Sequence, residues 1–180
     1  MPKRIETAAW HWTGDTLRDG RPIPAVGEWL THEGPIRICN SGLHASERLI
    51  DALSFSPGHM LHRVTVRGIE GRDSDKLVAR ERRIDWSMDC EGLLRVFARR
   101  CALDSLHLWP DVPVIVREYL ETGREDIREA AWAAAWDAAR DDAWAAARDA
   151  REAARDATLS KYDGWLTEMV EAAHHVEAAR

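Results

Sequence analysis

"MLHRVTVRG", residues 60–68, alternates without a break: His62, Val64 and Val66 fall on one side of an extended chain, and Arg63, Thr65 and Arg67 on the other. A strand of this kind buries one face and needs partners, and the flanking sequence offers them. Upstream, "AAWHW" (8–12) alternates Trp10 and Trp12 with Ala9 and His11. "EWLTH" (28–32) and "IRIC" (36–39) are short strand candidates, with Gly34-Pro35 as a hairpin turn between them. Downstream, "KLVARERRIDW" (76–86) supplies a further strand of mixed pattern. Turn chemistry fills "RDGRPIPAVG" (18–27). "ASERLIDAL" (45–53) reads as one short helix, capped by Ser46, with Leu49, Ile50 and Leu53 on one face.

From residue 87 the apolar period becomes helical. Ser87 is placed to cap a helix with Asp89 and Glu91 in its first turn, where negative charge suits the helix dipole. Cys90, Leu93, Leu94, Phe97 and Cys101 form its apolar face, which makes both cysteines small core residues. "LWPDVPVIVREYLETG" (108–123) restarts a helix with Asp111 as cap and Pro113 in the first turn, and Gly123 stops it. Thr122 and Glu125 have capping-box spacing for the next helix. In "SKYDGWLTEMVEAAHHVEAAR" (160–180), Ser160 is a candidate cap, and Tyr162, Leu166, Met169, Val170 and Ala173 recur at helical spacing. The expected fold is α+β: a small, mostly antiparallel β lobe over 1–86, packed on an α-helical lobe of three to four antiparallel helices over 87–180, the two forming one folding unit.

"AAWAAAWDAARDDAWAAARDAREAARDA" (130–157) carries a heptad seam. With Trp132 and Trp136 at d and a, the next seam positions are Ala139, Ala143, Ala146, Ala150, Ala153 and Ala157. Such a seam buries little area per residue but lets a neighbouring helix approach closely. Trp132, Trp136, Ala139, Ala143 and Ala146 are therefore the candidate helix-packing or interface residues, within the chain or across a homodimer.

With 180 residues, 45% hydrophobic residues and nine tryptophans, the chain is expected to fold. Its net charge of -6 is uneven. Residues 1–87 hold 13 Lys+Arg against 12 Asp+Glu, and residues 88–180 hold 12 against 19. An acidic second half disfavours direct binding to a nucleic-acid backbone, whose affinity comes from basic charge. The three cysteines, Cys39, Cys90 and Cys101, include no CxxC pair. No secretion signal or membrane-spanning run is expected, which points to a reducing, cytoplasmic setting.

The densest chemical group is "RICNSGLHAS" (37–46), a strand end, a glycine turn and a helix start. Arg37, Cys39, His44 and Ser46 are its ligand or partner candidates. His44 at the mouth of the turn has the chemistry of a base or a polar-ligand contact. The alternative is structural, with Gly42 permitting the turn, His44 plugging it and Ser46 capping the helix. Cys39/His44, His59/His62 and His174-His175 lack the paired spacing of a zinc site, so neither a metal nor a cofactor is expected. "RERR" (80–83) alternates along a strand and includes a glutamate, which reads as a solvated face. No catalytic set is evident.

"CNSGLHAS" (39–46), "ALSFSPGHMLHRVTVRG" (52–68) and "DSDKLVARERRI" (73–84) resemble a phage- and prophage-associated domain family of unknown function, whose core is Cys-x-x-Gly-Leu/Phe-His-Ala. "FARRCALDSLHLW" (97–109) and the Ala/Trp-rich helix resemble the tail that many phage members carry after it. The resemblance spans roughly residues 26–157, and many relatives have cysteine where this chain has Ser46. It implies a phage-type accessory protein and carries no activity with it. The acidic helical half, the ordered seam and the lack of a catalytic set add the expectation that it acts by protein–protein interaction on a host or phage protein, with antagonism of a host defence system as the finer expectation. Two alternatives stand beside it. One is a nucleotide-ligand-binding protein or ADP-ribosyltransferase-like enzyme using the GLHAS turn, and the other is a homo-oligomeric structural protein.

Overall fold

The computed structural model describes residues 5–138 and 155–179. Five strands form one sheet: β1 (Glu6–Thr13), β2 (Trp29–Thr31), β3 (Leu43–Ala45), β4 (Met60–Arg72) and β5 (Leu77–Asp89). The helices are α1 (Leu49–Leu53), α2 (Glu91–Asp104), α3 (Val114–Thr122), α4 (Arg128–Ala138) and α5 (Arg155–Ala178). The fold is α+β. Among the described residues no helix is long and apolar enough to cross a membrane.

The chain divides into two compact units, residues 1–91 with 166–180, and residues 92–165. In the first, every strand pair is antiparallel and the order is β1-β4-β5-β2, with β3 also on β5. The alternation that begins at Met60 and Leu77 carries both long strands well past the reach expected of them, to Arg72 and Asp89. Their ladder slips between Arg63 and Val64 and again between Ile69 and Gly71. Such bulges bend and twist a sheet. Just after β3, Ser46 pairs with Trp10 of β1 through Trp10 N–H to Ser46 O (2.8 Å) and Ser46 N–H to Trp10 O (3.0 Å). Residues 43–46 thus tie β5 to β1 across the curled sheet. Inside lie Ala9, Ala45, Val64, Val66, Leu77, Ala79 and Ile84. Each fully buried branched aliphatic contributes about 1.5–3 kcal/mol.

The second half of α5 belongs to this unit. Leu166 and Val170 are fully buried, and His174, one turn on, stacks on Trp86 at 4.1 Å between ring centroids. Trp86 meets Trp10 edge-on at 5.7 Å, and the Arg63 guanidinium lies over Trp10 at 4.2 Å.

In the helical unit α2 buries Phe97, which meets Tyr162 of α5 edge-on at 6.4 Å. The Tyr162 hydroxyl donates to Cys101 O at 3.2 Å, and Lys161 pairs with Asp104 at 2.5 Å. Helix α3 ends as its sequence requires: Gly123 adopts φ 68° and its N–H returns to Tyr119 O at 2.8 Å.

Several local expectations fail for identifiable reasons. "IRIC" is a turn, not a strand: Arg37 pairs only with Ser41, and Ser41 Oγ donates to Pro35 O at 2.6 Å. Ser46 does not cap α1, because its backbone is spent on β1; the cap position is Arg48, with no side-chain cap bond. Ser87 lies within β5, and Asp89 Oδ1 instead accepts the Glu91 N–H at 2.9 Å. Asp111 is bypassed, since Pro113 occupies the cap of α3. Thr122 Oγ1 donates to Glu118 O at 2.6 Å, so no capping box forms with Glu125. Helix α5 runs straight through Ser160.

Candidate functional site

The GLHAS turn is built by backbone constraint. Gly42 sits at φ 109°, and a Cβ there would fall 2.5 Å from Val78 Cγ2. Cys39 adopts φ 66°, the one described non-glycine residue in the left-handed region. Its N–H donates to His44 Nε2 at 3.0 Å, so that nitrogen is an acceptor and the ring proton sits on Nδ1. Burial pulls the His44 pKa down; a backbone hydrogen bond with Gly42 opposes it, and the positive Lys76, Arg82 and Arg18 add to the fall. His44 is thus committed to holding the turn. Arg37 and Cys39 are exposed. Ser46 is buried.

Beneath the turn lies the residue that sequence reading placed in solvent. Arg82 is 6% exposed. Its NH1 donates to His44 O at 2.7 Å, and no carboxylate among the described residues pairs with it. Three nearby arginines of the sheet are each paired with a carboxylate. Arg80 bonds Glu70 at 2.6 Å, Arg67 bonds Glu81 at 2.5 Å, and Arg83 bonds Asp85 at 2.9 Å. Burial without a counter-charge lowers the Arg82 pKa to about 10, which still leaves it cationic at neutral pH.

Two more histidines share this field. His62 is 1% exposed, with Nε2 against Thr13 Oγ1 at 2.8 Å and Nδ1 against Ser87 Oγ at 2.7 Å. Burial, then Arg82, pushes its pKa down to about 4. His11 is paired with His62 across the β1–β4 ladder, the rings 6.3 Å apart. Burial, Arg82, His62 and His44 together hold His11 well below the usual histidine range. Among the described residues no hydrogen bond reaches either ring nitrogen of His11, although the residue is only partly buried. Among the described residues the site therefore offers a guanidinium fork with one donor bonded and an imidazole with no hydrogen bond to either nitrogen. Among the described residues no group of three His, Cys, Asp or Glu is arranged to hold a metal ion.

Sequence reasoning missed Arg82 and His11 as a pair. Alternation puts Arg82 on the face of Ile84, but only the pairing Val66↔Arg82 shows that this face is the inside. Of the candidates it named, His44 touches the cluster through its carbonyl, whereas Arg37 and Cys39 stay at the rim.

In the helical unit Trp132 and Trp136 are 64% and 61% exposed, and α4 buries Ala131 instead. Trp132 borders a shallow depression lined by Glu125, Asp126, Arg128 and Glu129. Ala139, Ala143, Ala146, Ala150 and Ala153 lie outside the described residues, and Ala157 is exposed.

An antiparallel sheet domain with a buried, positively charged polar cluster beside a glycine turn is the class defined by these features. Residues 10–96, which contain all of the sheet's long strands but the first few residues of β1, match a family described as a domain of unknown function (DUF7666). No curated protein and no solved structure matches the chain.

Proposed function

We propose that the sheet unit binds a small ligand through an anionic group received by Arg82 and His11, a nucleotide being one class that fits. The observation that supports this reading is a buried arginine with no carboxylate partner among the described residues, while Arg67, Arg80 and Arg83 each have one. Removing a cation from water costs several kcal/mol, and a single carbonyl bond offsets only part of that. An incoming anion completes the site. The remaining donors of the guanidinium fork suit phosphate or carboxylate oxygens, and the free His11 nitrogens add a donor or acceptor. No reaction is assigned to it. Calorimetric titration of the full chain with inorganic phosphate, sulfate and formate tests the reading. Binding that vanishes in Arg82→Met supports it, and no heat from any anion overturns it.

A second reading rests on a different observation. Two tryptophans exposed one turn apart on α4, beside carboxylates, favour a phage-type accessory protein whose helical unit docks on another protein in the bacterial cytoplasm, antagonism of host defence being one such role. A homodimer is the simplest form of that docking. Light scattering behind size exclusion, comparing wild type with Trp132→Ser/Trp136→Ser, separates the two forms: a dimer lost in the variant identifies a second copy as the partner.

A further inference from the structure

We propose that the group received by Arg82 is a dianion, a phosphate monoester or free phosphate, and that it binds together with a proton taken up by His11. This inference rests on the anion-binding reading and goes on to specify charge and proton count.

Elimination within the cluster selects His11. His62 has one nitrogen on Thr13 Oγ1 and the other on Ser87 Oγ, so its ring has no free position for a ligand. His44 accepts the Cys39 N–H at Nε2 and is engaged with Gly42 besides. His11 keeps both nitrogens unbonded among the described residues. The charged and titratable groups that act on it are Arg82 of β5, His62 of β4 and His44 of β3, and no carboxylate among the described residues acts on it. Lys76 and Arg18 act on His44 from the same region, so the surroundings are positive.

Charge balance then sets the ligand class. A monoanion neutralises Arg82 and leaves His11 without reason to ionise. A dianion leaves one negative charge over, and the histidine of this cluster whose ring nitrogens carry no hydrogen bond among the described residues is His11. Arg82 by itself disfavours a protonated His11; a bound dianion reverses the local field and favours it. Both Nδ1–H and Nε2–H become donors once the ring is charged. Binding and proton uptake are thereby linked, and affinity rises as pH falls.

The test uses the full chain with sulfate, which stays a dianion from pH 5.5 to 7.5, titrated calorimetrically at constant ionic strength. Sulfate is expected to bind at least tenfold more tightly at pH 5.5 than at 7.5, and formate to bind weakly at both. The His11→Gln variant is expected to keep weak sulfate binding and lose the pH dependence. As a check that needs no variant, the His11 Cε1–H resonance in wild type is expected to move to its imidazolium position when sulfate is added at pH 6. Equal sulfate affinity at both pH values, pH dependence unchanged in His11→Gln, or an unmoved His11 resonance at saturation overturns the proton uptake while anion binding at Arg82 stands. Formate binding as tightly as sulfate overturns the dianion. Absence of binding by every anion at both pH values removes the Arg82 reading, and this inference with it.

Discussion

Replacing Arg82 with methionine separates a ligand site from a structural arginine. The change removes one charge-assisted hydrogen bond, NH1 to His44 O at 2.7 Å, which contributes about 1.5–3 kcal/mol. It also removes the cost of holding an uncompensated cation inside the sheet. The fall of the Arg82 pKa from 12.5 to about 10 corresponds to about 3 kcal/mol at 1.36 kcal/mol per unit. Arg82 is 6% exposed, so solvent screening takes little from that figure. The bond offsets part of that cost and leaves a difference of at most about 2 kcal/mol, and methionine fills much of the same apolar volume. Chemical denaturation is therefore expected to place Arg82→Met within about 2 kcal/mol of wild type, on either side. Anion binding, read by calorimetry on the same preparation, is expected to disappear. A loss of more than about 4 kcal/mol would show that the guanidinium is part of the scaffold. Retained binding with unchanged stability would equally refute the reasoning.

Three further predictions address the surroundings. His62 has a folded-state pKa of about 4 against an unfolded value near 6.5, so its neutral form is stabilised by folding. That contribution is complete above pH 6.5 and is lost as pH falls toward 4, by about 3 kcal/mol in all; His62→Gln is expected to flatten the acid limb of a melting-temperature profile, and an unchanged limb would contradict the assignment. Gly42→Ala meets both a positive φ and a Cβ contact of 2.5 Å with Val78. Urea midpoints are expected to report a loss of about 1–3 kcal/mol. His44→Ala leaves the Cys39 N–H without its acceptor. A stability loss of about 1–3 kcal/mol, with faster hydrogen exchange at the Cys39 amide, is the expected result, and wild-type stability would show that the ring does not hold the turn.

The long strands were legible because alternation is a local property. "MLHRVTVRG" has two unlike faces whatever it pairs with, and the same holds for much of β5. The α+β division and the stop of α3 at Gly123 followed from equally local chemistry. Short elements were less legible, because their backbone bonds are decided by distant partners. Ser46 has the composition of a cap, yet Trp10, 36 residues earlier, takes its N–H and C=O. Ser87 likewise turns out to serve His62 across a ladder.

The candidate site was half visible. The sequence by itself marked a glycine turn at Gly42 with His44 as its candidate plug, whereas the structure drew Cys39 into that turn. The sequence also determined that Arg82 shares a strand face with Ile84 and not with Glu81 or Arg83. Which face is interior belongs to the sheet and not to the strand. Only the tertiary structure decided that, by pairing Arg82 with Val66 and by laying residues 43–46 across from β5 to β1. The counter-charge follows the same rule: Glu70, Glu81 and Asp85 each reach a neighbouring arginine, and register alone leaves Arg82 with a carbonyl. An ion pair is a matter of a few ångströms between strands, and that distance is written in no local run of residues.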